Sequence, residues 1–283
     1  MTTPEFTHDE HEHARVLAAN VTYHAALADA YNATQPHFRP ENVTRVDAIV
    51  AELAARTGGR TLLDLGCGTG FMIAIALPHF QRVVGVDLTR AMLEKVDRSS
   101  GRVELHESDT ATVPVPDSSV DVCTAYSFLH HLHDLRPTLR EAARCLRPGG
   151  VFYADADPNR AFWQLMHEVR ERADLRGVVA REARSVVDVE DDVSRDTGLS
   201  SETVALAEFQ KVALGGLDPD AVAAMLREVG FAEVEIRYEW FLGEGKVIHE
   251  QSPADARLID RYLREMLPAT RALYKYVAFR AIR

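Results

Sequence analysis

Three glycines at alternate positions, Gly66, Gly68 and Gly70, follow directly on an apolar run, Leu62-Leu63-Asp64-Leu65. A run of that length bounded by glycine reads as a buried parallel strand. Glycine has no Cβ, so backbone in such a turn can approach a ligand closely. Phe71 to Leu77 reads as a short helix whose first N–H groups point back over the turn. Asp87 closes a second apolar run, Arg82 to Asp87, about twenty positions after the glycines, where a carboxylate can accept from both hydroxyls of a ribose. Helix capping would account for the same aspartate, but Thr89 is placed to cap Ala91 to Val96. These residues suggest the binding of a nucleoside. A dinucleotide fingerprint needs G-x-G-x-x-G; Phe71 stands where its third glycine would fall, which disfavours a nicotinamide oxidoreductase.

A second group of residues could move a proton. Val120 to Tyr126 reads as another strand and runs into Ser127-Phe128-Leu129-His130-His131-Leu132-His133-Asp134. Histidine titrates near neutral pH, so His131 or His130 could act as a general base. Neighbouring residues are not expected to face one way, so at most one should meet a substrate, and a backbone bond that orients the next helix would account for either. His133 is expected to face outward. At the N-terminus His8, His11 and His13 lie among Asp9, Glu10 and Glu12. A metal could sit there, but a solvated, frayed terminus explains the cluster, and no metal is expected.

These groups need a frame. Strands are expected at Val103 to His106, Val151 to Asp155, Glu233 to Trp240 and Tyr276 to Ile282. Helices are expected from Ala14, over Asn42 to Ala55, Leu135 to Leu146 and Ala221 to Val229. Strands alternating with helices imply an α/β, doubly wound, mostly parallel seven-stranded sheet, Rossmann-like, with N-terminal helices and helical lid insertions. In such sheets ligands collect outside the carboxyl ends of the strands. The glycine turn, Asp87, Asp109, Ser127 and Asp155 all fall there.

The stretch Asp64-Leu65-Gly66-Cys67-Gly68-Thr69-Gly70 resembles motif I of the class I S-adenosylmethionine-dependent methyltransferases. Asp87 matches motif II, and the segment from Asp109 to Asp117, with the Leu-His-His-Leu pattern at 129–132, resembles the small-molecule branch, including the ubiquinone and menaquinone methyltransferases. The resemblance implies S-adenosylmethionine as cofactor, held by Asp64, Gly66, Cys67, Gly68, Thr69, Gly70, Asp87, Leu88, Met92, Asp109, Thr110, Ser127 and Phe128. Asp109 would contact the adenine amino group, although an Asx turn explains it equally. Tyr31 would fold over the methionine end of the cofactor. His131 is the histidine the family pattern most often holds, with His130 second. The implied activity is methyl transfer to a small molecule, with nitrogen or carbon acceptors, or cofactor binding without turnover, as alternatives to a hydroxyl.

One methyltransferase domain is expected over 1–283: a helical cap at 1–45, a core of 46–155, 218–240 and 273–283, and lid insertions at 156–217 and 241–272. Phe162, Trp163, Met166, Trp240 and Tyr262 are the expected substrate wall, with few basic residues, which suits a largely apolar or aromatic acceptor. The acidic stretch 186–202 reads as a mobile connection. A net charge of −11, from 32 Lys and Arg against 43 Asp and Glu, argues against a nucleic acid partner. No stretch approaches a membrane span, and three widely spaced cysteines suit a reducing cytoplasm.

Overall fold

The computed structural model describes residues 8–172, 174–187, 194–195 and 197–283. Seven strands form one sheet: β1 (Thr61–Leu65), β2 (Arg82–Asp87), β3 (Val103–Glu107), β4 (Val120–Tyr126), β5 (Leu146–Pro158), β6 (Glu233–Phe241) and β7 (Tyr274–Ile282). Their spatial order is β3-β2-β1-β4-β5-β7-β6. Pairing is parallel from β3 through β5, and β7 runs antiparallel to both β5 and β6. The order reverses between β1 and β4, which opens a crevice at their carboxyl ends.

The sheet is buried on both faces, which is why β1 and β4 read as continuous apolar runs. Along β1, Leu62 faces the layer formed by α3 (Pro40–Thr57) and α4 (Phe71–Ala76), while Leu63 and Leu65 face the opposite layer with Leu139 of α6 (Arg136–Cys145). The amphipathic face expected of α3 is seen: Val46, Val50 and Leu53 are buried against the sheet. The register brings the strand ends level, pairing Asp64 with Gly85 and Thr124, and Tyr126 with Asp155.

Some boundaries differ from expectation. The Pro148-Gly149-Gly150 stop lies inside β5 rather than before it, because Gly149, at φ 78°, still donates its N–H to Arg283 O and keeps the chain in the sheet. The helix expected over Ala91 to Val96 is α5 (Arg90–Leu93). Thr89 makes no side-chain cap there; Asp87 Oδ1 instead accepts the Thr89 N–H at 2.8 Å.

The two insertions are helical, with helices at Arg160–Arg170, Gly177–Val187, Ser201–Ala207 and Phe209–Val212 in the first, and Glu244–Glu250 and Pro253–Glu265 in the second. Of the acidic stretch 186–202, residues 188–193 and 196 lie outside the described residues, and the expected mobile connection with them. The N-terminal helix α1 (His8–Leu27) packs Ala19 and Tyr23 against Val204 and Ala207 of the first insertion. Among the described residues no helix is long and apolar enough to cross a membrane.

Candidate functional site

Two adjoining cavities open at the carboxyl edge of the sheet. The narrower, about 90 Å³, lies over the crevice between β1 and β4. Its walls include Tyr31, Asp64, Gly66, Cys67, Gly68, Thr69, Asp87, Leu88, Met92, Asp109, Thr110, Ser127, Phe128 and His131. Of the expected cofactor residues only Gly70 stands apart. At φ 92° it is the N-cap of α4, with Val96 so close that a Cβ would meet it at 3.1 Å, so its glycine serves the turn. Gly66 is required differently: a Cβ there would fall 1.9 Å from the Phe128 ring, which lies flat on the loop.

The acidic residues of this cavity are held in place. Asp87 accepts from the N–H of Gly68 through Oδ2 and of Thr89 through Oδ1, each at 2.8 Å, so its carboxylate is fixed against the loop while each oxygen keeps a free lone pair. Asp109 accepts from Ala111 N–H at 2.9 Å in an Asx turn, yet still lines the cavity. Asp64 is buried and accepts from Thr124 Oγ1 at 2.7 Å; burial pushes its carboxyl up to about 7. The Cys67 thiol turns into the sheet, next to Gly85. Thr69 Oγ1 donates to Asn32 Oδ1 at 2.5 Å, tying the loop to the segment that carries Tyr31.

The histidine turn departs from expectation. Leu129–His131 is a 3₁₀ turn, and the rings of His130 and His131 lie together, centroids 4.0 Å apart, rather than pointing apart. Only His131 meets the cavity. Its Nδ1–H donates to Ala207 O at 2.6 Å, leaving Nε2 with the lone pair, and burial pushes the ring well below the usual histidine range. His130 lies behind, its backbone N–H and Nδ1 both on Asp157 Oδ1, at 3.0 and 2.8 Å. Burial pushes Asp157 up and His130 down to about 4, so charge on either partner is disfavoured. Neighbouring segments clamp the turn: Asn20 Nδ2 donates to His131 O, and Gln210 Nε2 to the carbonyls of Leu132 and His133. His133, expected to face outward, lines the cavity instead, since α1 folds over it; its ring lies 3.4 Å from Glu12.

His130, His131 and Glu208 bring potential metal ligands within 4.8 Å of one another. The Glu208 oxygen that faces His130 at 3.7 Å already bonds Lys211 Nζ at 2.6 Å, so an internal cation balances it. Burial opposes charge on Glu208, but Lys211 holds its carboxyl well below the usual range.

The larger cavity, about 640 Å³, adjoins the first and shares His37, Tyr126 and Ser127 with it. Phe162 and Trp240 line it as expected. Trp163 and Met166 do not: they are buried with Ala183 in a separate cluster inside the first insertion. Tyr262 does not either, because Leu258, Tyr262 and Met266 are 38%, 57% and 61% exposed and turn to solvent. Among the described residues, four non-glycines have positive φ, and three of them, Ser127, Ala156 and Trp240, line this cavity at the ends of β4, β5 and β6. Such residues cost about 1–3 kcal/mol each and gather at functional sites. Asp155, expected at the sheet edge, is a buried anchor there. It accepts from Arg45 Nη2 at 2.7 Å and Tyr153 OH at 2.5 Å.

A family model described as a methyltransferase domain matches residues 63–154. A probable S-adenosylmethionine-dependent methyltransferase of Mycolicibacterium smegmatis is 36% identical over 129 residues, 45% of this chain and 50% of that protein. Residues 63–154 thus form a methyltransferase domain, similar to those of S-adenosylmethionine-dependent methyltransferases. A 27-O-demethylrifamycin SV methyltransferase of Amycolatopsis mediterranei is 38% identical over 118 residues, 39% of this chain and 43% of that protein. Measured against these curated relatives, the chain spans about half of their length or less. The crystal structure of the YcgJ protein of Bacillus subtilis aligns over 85% of this chain and 98% of its own, with TM-score 0.51 and 18% identity, a likeness of fold. These relatives single out no ubiquinone or menaquinone branch.

Several residues of this site went unread in the sequence. Asn20, His24 and His37 line the cofactor cavity, while Asn32, Asp157, Glu208 and Gln210 brace its walls. All come from α1, the segment 28–39 or the stretch 156–217, where no motif marks them. His37 did carry a local signal, standing between Pro36 and Pro40 in a segment too broken to be a plain helix.

Proposed function

We propose that this protein transfers a methyl group from S-adenosylmethionine to a small molecule, at a hydroxyl. The observation that carries this reading is the meeting of two cavities at Tyr126, Ser127 and His37. One is walled by the family's cofactor motifs, and the other lies within the usual 300–1,000 Å³ of ligand pockets. The bound cofactor would supply an electrophilic methyl on a sulfonium. Asp87 would hold the ribose hydroxyls, Asp109 the adenine amino group, Leu88 and Met92 the faces of the base, and Asp64 and Tyr31 the methionine end. Ser127 and Tyr126 would form the wall through which the methyl passes, so that an acceptor oxygen can sit in line at about 3 Å.

His131 would take the acceptor's proton: its fixed tautomer presents a bare Nε2, and its lowered basicity keeps it neutral and ready to accept. A second reading gives that task to His37, favoured because it alone of the two lines both cavities. One domain would comprise the core 46–155, 218–240 and 273–283, with 1–45 as cap and the insertions as lids. In support, α1 lines the cofactor cavity, and Phe162, Arg181 and Glu182 of the first insertion and Trp240 to Lys246, His249 and Glu250 line the other.

The test is turnover. Purified protein incubated with S-adenosylmethionine and a panel of small hydroxylated, aminated and carbanion-forming compounds should release S-adenosylhomocysteine with a +14 mass on a hydroxyl compound, as fixed by adding one CH₂ unit. Cofactor bound without turnover on any acceptor would leave a binding protein, and methylated amines alone would move the acceptor atom to nitrogen.

A further inference from the structure

The larger cavity carries more positive charge than the sequence led us to expect. Arg39, Arg181, Lys246 and Lys275 all line it, in a chain whose net charge is −11. Two of the four are paired within the wall: Lys275 Nζ lies 3.1 Å from Glu182, and Lys246 Nζ 3.4 Å from Glu250. Glu41 faces His249 at 3.4 Å. The remaining acid, Glu244, accepts the Phe241 N–H and is pushed by burial up to about 7, so near neutral pH it is only about half charged. Among the described residues Arg39 and Arg181 have neither an ion pair nor a side-chain hydrogen bond. Arg39 is also close enough to Lys275 to act against its positive charge.

Two guanidinium groups left without partners in the lining of one cavity focus a positive potential into it. Guanidinium is weakly hydrated and presents a planar fork of donors that matches two oxygens of a carboxylate or phosphate. The same lining also carries the aromatic side chains Phe162, Trp240 and Tyr276. The two arginines come from separate parts of the chain: Arg39 caps α3, and Arg181 lies in the helix Gly177–Val187 of the first insertion. An anion held by both would tie the cap to the insertion.

We propose that the acceptor cavity contains an oxyanion subsite formed by Arg39 and Arg181, so that the methyl acceptor is an aromatic or apolar molecule bearing a carboxylate or phosphate. The substrate class rests on the methyl-transfer reading; the subsite itself does not.

Inorganic phosphate and acetate serve as probes, with acetamide as the neutral control. Trp163 and Trp240 are the only tryptophans, and Trp163→Phe leaves Trp240 as a reporter inside the cavity. At low salt, phosphate should change Trp240 fluorescence saturably, and acetamide should not. Acetate responding with phosphate marks a carboxylate subsite, and phosphate alone a phosphate subsite. Arg39→Gln with Arg181→Gln should weaken the half-point at least tenfold, and Arg39→Lys with Arg181→Lys should restore part of it. S-adenosylhomocysteine affinity, measured on each variant, should match wild type and shows that the variant is folded. An unchanged half-point in the double Gln variant, or no saturable response in wild type, overturns the subsite. Phosphate binding in a protein that fails to bind S-adenosylhomocysteine would instead remove the methyl-transfer reading and leave the subsite standing.

Discussion

The two cavities are built from different kinds of residue. The cofactor cavity is walled by the ends of β1, β2 and β4 and the turns that follow them, whose shape is set by backbone bonds: Gly68 and Thr89 N–H on Asp87, Ala111 N–H on Asp109, Asp155 O accepting from Ser127 N–H. The larger cavity is walled in good part by the insertions, with Arg181, Glu182, Glu244, Lys246 and Glu250 on their helices, and otherwise mainly by the segment 35–42 and the start of β7. The first can change little without loss of the fold. The second can exchange its side chains over the same frame, so on the methyl-transfer reading the fold would fix the cofactor chemistry and the more variable walls would choose the acceptor.

Predictions that would break or sharpen this contrast run from large to small. The largest effect belongs to the proton acceptor. If His131 is the base, His131→Ala should lower kcat by about 10²–10⁴ with cofactor affinity near wild type, and His37→Ala should not. The reverse pattern would move the base to the junction of the cavities. Because burial holds both rings below the usual range, kcat should stay flat from pH 6 to 8 with either assignment, where an unshifted histidine would give a limb near 6.5.

Next in size, Trp240→Ala should raise the acceptor KM by about 10–200-fold and leave cofactor affinity unchanged, as expected for a lost wall of an apolar pocket. A matching loss of cofactor affinity would mean that the two cavities are one site.

The smaller effect concerns Asp64. Its carboxyl sits near 7 because it is buried, and a cationic methionine end beside it would favour the ionised form. Cofactor affinity should therefore rise about tenfold from pH 6 to pH 8, with a proton released on binding, and Asp64→Asn should abolish that rise. In the protein alone the sign is opposite. A raised carboxyl pKa means that the folded state holds a proton the unfolded chain releases near 3.9, so this group's contribution to stability declines as pH rises from about 4 to 7. Calorimetry in two buffers of different ionisation enthalpy reads the first effect, and urea unfolding across pH the second.

The same contrast decided what the sequence could reveal. Strands buried on both faces announce themselves, so β1, β2 and β4 were legible to within a residue, and with them the glycine loop, Asp87 and Asp109. Thr89 was misread because a cap is a contact rather than a spacing, and Asp87 made that contact first. Trp163, Met166 and Tyr262 were misplaced because helical periodicity gives a face and not what the face meets: two turned into their own cluster and one to solvent. His130 and His131 were expected to diverge, but Asp157 and Ala207 hold the rings side by side from opposite directions. Arg39 and Arg181 were silent because charged side chains carry no pattern until the fold brings them to one wall.

The most direct test of the account is calorimetric titration of S-adenosylhomocysteine into the wild-type protein and Asp87→Ala. Wild type should bind with micromolar affinity, about −8 kcal/mol, and the variant should lose about 1.5–3 kcal/mol, as for a hydrogen bond to a charged group. Failure of wild type to bind, or equal affinity in a folded Asp87→Ala protein, would contradict the account.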